Sequence, residues 1–274
     1  MRCPPRPHSP AAFTLVELLV VVGVIGALIS ILLPAMSGAR KTGQLMVSLS
    51  NVRQITIAGV GYTYDNDDLW PVIPSSQPEK GASGPVTWCS WNWGGKTASD
   101  YWKTAAGGVY HLPARKRVLN RYAHPDVEPG DDETEETRVE LPVFRAPRDV
   151  ESYQRQYWAE EPSPVEVSSY DDVGSSYHLN MRWWFDDTIA PGDSSTDKWY
   201  RLQRLFRRGA SEVPTNFVWL HDQIMDVVAV RAFDIEGLYG GLNQSVAAFM
   251  DGHAKYVRVN PGERVSPEYQ LVVE

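Results

Sequence analysis

The chain has 274 residues, 43% of them hydrophobic and 22% charged, a composition that excludes both wholesale disorder and a polytopic membrane protein. A formal net charge of -8 excludes a conventional nucleic-acid binder, whose surface must be basic enough to neutralise phosphate. Two cysteines, Cys3 and Cys89, are too few for a disulfide framework or a cysteine-rich metal site.

Residues 1–12 carry Arg2 and Arg6, no acid and a run of prolines, so they form a basic, non-helical leader. Phe13 to Met36 then reads FTLVELLVVVGVIGALISILLPAM. At 1.5 Å per residue this run makes a helix of about 36 Å, long enough for a hydrocarbon core of about 30 Å. Basic charge ahead of it predicts a cytoplasmic N-terminus, although Arg40 and Lys41 follow the run. A cleaved secretory signal would have a shorter apolar region, of about 7–15 residues. A plain anchor accounts for the length but not for Glu17, since a carboxylate at the centre of a membrane helix costs about 2.5–3.5 kcal/mol. Glu17 lies four residues after Phe13, within reach of an amine created by a cut before Phe13.

The string AFTLVELLVVVGVIGALISILLPA closely resembles the class III signal of type IV prepilins and type II secretion pseudopilins. The resemblance implies cleavage by a prepilin peptidase between Ala12 and Phe13, N-methylation of Phe13, an assembly role for Glu17 and a helix-kinking role for Pro34. Ala12 departs from the family's usual glycine at that position. On this reading Glu17 neutralises the new amine of a neighbouring subunit and sets the axial register among otherwise interchangeable Leu and Val contacts. Gly23, Gly26, Ala27 and Ser30 are small enough for close helix approach in lipid.

Beyond the membrane, residues 37–61 are expected to continue the helix. Leu45, Leu49, Val52 and Ile55 or Ile57 recur at helical spacing, and Gly59 and Gly61 mark a stop. Residues 62–274 are expected to form an extracytoplasmic, β-rich domain, giving an α+β chain with a long N-terminal helix packed on antiparallel strands. Asn216–Leu220 and Val227–Phe233 read as strands. SVAAFMDGHAKYVRV predicts a hairpin, with strands near 245–250 and 253–259 joined by a two-residue type I′ turn at Asp251-Gly252. Ser75–Pro85 reads as a loop, and Glu128–Glu140 as a solvated loop carrying seven acids and one arginine. Basic clusters at Arg115-Lys116-Arg117 and at Arg201, Arg204, Arg207 and Arg208 offer it complementary charge.

The globular part also resembles the C-terminal region of prepilin-like proteins abundant in planctomycete-type bacteria. Phe249 to Tyr256, with Asp251, Gly252 and His253 at its centre, resembles that family's F-x-D-G-H-V-x-F pattern. Ser176–Asn180 resembles its S-Y-x-x-N segment and Phe144–Pro147 its F-x-C-P segment, with Ala146 in place of cysteine and Gly241 where the family has histidine.

Chemical signatures are sparse. The histidines show no ligand spacing for a metal, there is no nucleophile elbow or phosphate loop, and enzymatic activity is not expected. Asp251 reads as a turn former rather than a base. Asp65, Asp67 and Asp68 directly after the long helix offer hard oxygen ligands for calcium, with an Asx turn as the plain alternative. Trp88, Trp91 and Trp93 form either an exposed recognition surface for a glycan or flat partner, or part of the core. The expected function is a pilin-like or pseudopilin subunit of the cytoplasmic membrane. Its partners would be the prepilin peptidase, other pilin subunits and membrane lipid, with no nucleic acid. A membrane-anchored binding module and an anchored periplasmic enzyme are the competing classes.

Overall fold

The computed structural model describes residues 14–71, 89–130, 133–158, 166–180 and 195–272. They divide into two compact units, with the boundary between Gly43 and Gln44.

The first unit is the apolar part of helix α1, whose full span is Leu15–Asp65, with Pro34 inside it. Its large side chains are exposed, from Leu15 at 76% to Met36 at 65%. An 18-residue stretch has a mean hydropathy of 2.8 and no buried residue, so by length and composition it fits a membrane anchor or a signal sequence. Ser30 Oγ donates to the Ala27 carbonyl at 2.8 Å, which satisfies a hydroxyl that would otherwise face an apolar medium.

The second unit contains the rest of α1 and an antiparallel sheet of four strands in the order β1-β2-β3-β4: Tyr177–Leu179, Val218–Asp222, Gln244–Phe249 and Ala254–Arg258. One sheet face, with Leu179, Leu220, Val246 and Ala248, shares a core with Val52, Ile55 and Ala58 of α1. The opposite face, with Ala247, Phe249 and Val257, packs on helix α3, Gln223–Arg231. Between β1 and β2 runs α2, Ser195–Glu212. Its Gln203 brackets Trp70, accepting from the Trp70 amide at 2.7 Å and donating to the Trp70 carbonyl at 3.0 Å.

Several expectations require correction. The helix does not stop at the glycines but runs on to Asp65. Gly59 is instead a contact position, where a Cβ would stand 2.9 Å from the Trp219 ring. Ile57 is 72% exposed, so Val52 and Ile55 carry the buried stripe, joined by the polar Ser48 and Thr56. Val227–Phe233 is not a strand. Asp222 caps α3 by accepting from the Ile224 amide at 3.1 Å, Ala232 ends it in the left-handed region, and residues 227–231 are helical. The apolar run there is buried almost all round, so periodicity could not separate helix from strand.

The hairpin forms at the expected place, but not through a two-residue turn. Gly252 donates to the Phe249 carbonyl at 3.0 Å and the Phe249 amide to the His253 carbonyl at 3.0 Å. Only Gly252 in this turn has positive φ, at 89°. This is a three-residue loop, a β-turn followed by a left-handed glycine, and Asp251 keeps an ordinary φ.

Candidate functional site

At the start of α1, Thr14 and Glu17 form a reciprocal capping box. The Thr14 amide and hydroxyl donate to Glu17 Oε2 at 2.9 and 2.7 Å, and the Glu17 amide donates to Thr14 Oγ1 at 3.2 Å. The acid in the apolar run therefore already has a local function, satisfying donors at the helix entrance. Ala12 and Phe13 lie outside the described residues. At Gly23 and Gly26 a Cβ would meet nothing within 4 Å, so the small-residue positions are open on this chain.

The other candidate residues lie in the second unit. Asp65 Oδ2 accepts from Tyr122 Oη at 3.1 Å. Asp67 and Asp68 have φ of 53° and 58°, and their carbonyls accept from Arg207 at 2.8 and 3.3 Å. A guanidinium thus occupies the oxygen-rich turn. Among the described residues no three His, Cys, Asp or Glu side chains gather closely enough to hold a metal.

Trp91 and Trp93 are 6% and 0% exposed, so of the two alternatives for them they belong to the core and not to an exposed recognition surface. They also enter different clusters. Trp91 packs with Trp102 and Tyr110, whereas Trp93 meets Phe144 and Trp219 and donates from Nε1 to the Ser90 carbonyl at 2.8 Å. Large aromatic area is more stabilising inside than out, and this segment is a series of turns rather than a strand, so the period-two face is absent. Trp88 lies outside the described residues.

No protein-family model matches the chain, and neither a curated protein nor a solved structure does.

Segments singled out in the sequence meet in space. Ser176 donates its amide to the Phe144 carbonyl at 2.9 Å, while its hydroxyl accepts from the Ala146 amide at 2.9 Å and donates to Asp149 at 2.6 Å. Asp149 also accepts from the Ser169 and Tyr170 amides, yet burial dominates and raises its pKa. Asn180 donates to the Val218 and Leu271 carbonyls, both at 2.8 Å. In the hairpin, His253 stacks on Phe249 with ring centres 4.2 Å apart, and its amide donates to Asp251 at 3.1 Å. Gly241 has φ of 85°, a conformation strained for any side chain.

A buried imidazole–carboxylate cluster escaped the sequence reading. His178 and His221 are register partners on β1 and β2. Asp226 of α3 reaches both, 3.7 Å from His178 Nδ1 and 3.6 Å from His221 Nε2. Ser90 Oγ lies 3.1 Å from that same His178 Nδ1. A serine–histidine–acid relay needs serine and acid on opposite ring nitrogens, so this geometry braces the strand pair against α3 and does not form a relay. Only the direct pairing of the two histidines across β1 and β2, invisible in spacing, could have revealed the cluster.

Arg117 was likewise hidden within a basic cluster. It is 1% exposed, and its Nη atoms donate to the carbonyls of Trp91, Gly94, Leu112 and Val173 at 2.8 to 3.2 Å. Burial lowers its pKa to about 10, so it remains charged at neutral pH. Lys96 is similarly buried, paired with Asp171 at 2.6 Å and with Glu140 at 3.0 Å. Part of the acidic segment is therefore pinned to the fold: Glu133 accepts from Thr97 and the Val139 amide, and Glu135 from the Asp100 amide.

Proposed function

We propose that the chain is a pilin-like or pseudopilin structural subunit, held in the cytoplasmic membrane by α1 and processed between Ala12 and Phe13 by a prepilin peptidase. The observation that supports this reading is the division of labour along one helix of 51 residues. Its early turns are apolar and exposed, with Glu17 as their acid, whereas its later turns supply buried residues to a folded domain. A helix that is apolar all round has to be covered by lipid or by other helices. In an assembled filament the neighbours are copies of α1, and Glu17 exchanges its local partner Thr14 for the amine of an adjoining Phe13. The globular unit is then displayed outside the membrane, and its role is structural.

Mass spectrometry of the protein purified from its native membrane tests the reading. A mature chain beginning with N-methylated Phe13 is expected. A chain that keeps Met1, or one cut well beyond Phe13, overturns it.

A further inference from the structure

We infer that His178 and His221 form an acid-sensitive latch, in which His221 carries a proton against Asp226 and His178 must stay neutral to keep Ser90 and Gln154 on β1. The two rings are paired across β1 and β2, and both are fully buried. Their surroundings receive a proton in opposite ways.

A charged imidazole donates from both ring nitrogens and needs an acceptor at each. His221 has two. Its Nδ1 lies 2.8 Å from the Asp222 carbonyl, which fixes a hydrogen there, and its Nε2 stands 3.6 Å from Asp226 Oδ1. A proton on Nε2 therefore meets a buried carboxylate. His178 lacks such a pair. Its Nε2 is buried with no hydrogen-bond partner among the described residues. Its Nδ1 faces the Ser90 hydroxyl at 3.1 Å and the Gln154 amide nitrogen, a donor, at 3.2 Å. Whichever nitrogen holds the hydrogen of the neutral ring, a second proton either meets no acceptor at Nε2 or meets the Gln154 donor at Nδ1. The neighbouring charges do not supply the missing acceptor. Asp226 Oδ2 is 3.7 Å from His178 Nδ1, beyond hydrogen-bond range, and Asp149 acts on this ring only through its field. The Asp222 carboxyl is held by Ser245, Val246 and Ile224, and Trp91, with its ring centre 6.0 Å away, is neutral. Acid thus sets a second buried cation beside the first and expels Gln154. The segments released are those flanking β1: the helical turn Gln154–Trp158, and the turn whose Ser90 carbonyl accepts from the Leu179 amide at 2.8 Å.

Urea unfolding of the full chain in detergent micelles, compared at each pH with His178→Gln, tests the latch. The comparison at equal pH removes the contributions of Asp222 and Asp149, whose sign is opposite. Glutamine takes no proton, so the wild-type unfolding constant divided by that of the variant should rise about ten-fold from pH 7 to pH 5. The same ratio for His221→Gln should stay flat or fall, because the folded state accommodates that proton. A flat or falling ratio for His178→Gln overturns the proposal. Nitrogen-15 spectra of the wild-type imidazoles need no variant to fold. At pH 6, where an ordinary imidazole is mostly charged, the ring in contact with Trp91 should be neutral and its cross-strand partner charged. Both rings in the same form at that pH would equally overturn it.

Discussion

Thr14 and Glu17 bind each other through three hydrogen bonds at the first turn of α1, so the carboxylate of the apolar helix is compensated before any second copy is present. On the pilin-like reading proposed above, a monomer holds this acid without an intermolecular partner, and assembly is an exchange of partners. Glu17→Ala should insert normally but enter filaments about ten-fold less than wild type, because a few kcal/mol of charge compensation is lost at each interface. Immunoblots of sheared filaments against the membrane fraction give the ratio. Equal incorporation would remove Glu17 from the assembly contact.

Gly59 and Gly61 should respond to alanine in opposite directions. At Gly59 the new Cβ would stand 2.9 Å from a Trp219 ring that also donates to Thr56 and packs on Trp70, so it has little room to move. Gly59→Ala is expected to destabilise by about 1–3 kcal/mol. At Gly61 the nearest atom is Tyr122 at 3.5 Å, an ordinary contact. Gly61→Ala should stabilise by up to about 1 kcal/mol through helix propensity. Urea denaturation midpoints distinguish the two.

Adjacent basic residues should differ as sharply. Arg117→Met strips four buried carbonyls of their donor and should cost about 3 kcal/mol or more. Lys116→Ala, on an exposed side chain, should stay within about 0.5 kcal/mol of wild type. Thermal unfolding of both variants in the same detergent makes the comparison.

Asp222 gives the domain a pH dependence of defined sign. Burial raises its pKa from 3.8 to about 7, despite hydrogen bonds from Ser245, Val246 and Ile224. The folded state therefore holds this proton more tightly than the unfolded state. The resulting stabilisation is complete below about pH 4 and is lost as pH rises through about 7. Asp149, also raised by burial, acts in the same direction. Asp222→Asn should be less stable overall, because its amide meets backbone and hydroxyl donors. It should also lose part of the wild-type decline between pH 5 and pH 8, as read from urea midpoints across that range.

Local chemistry made some of this legible in the sequence. The apolar run, the turn glycine at 252 and the Val52/Ile55 stripe each act through neighbours along the chain, so pattern alone located them. The features that were missed depend on distant partners. Val227 and Val228 are β-branched yet helical because Asp222 caps the turn and both sides are buried. Trp91 and Trp93 are two positions apart but enter separate clusters because the chain turns between them. Arg117 is indistinguishable in composition from Arg115 until four loop carbonyls are placed around it. The His178–Asp226–His221 contact joins two strands and a helix that no spacing rule connects.

Ser48 of α1 hydrogen-bonds Tyr177, 129 positions later, and Thr56 accepts from Trp219, 163 positions later. The first-synthesised part of the domain thus presents its inner face to residues that leave the ribosome much later. Contacts this remote in sequence slow folding, because a long loop must close before they form. The Ser48–Thr56 face of α1 can be covered only after Trp219 has been synthesised.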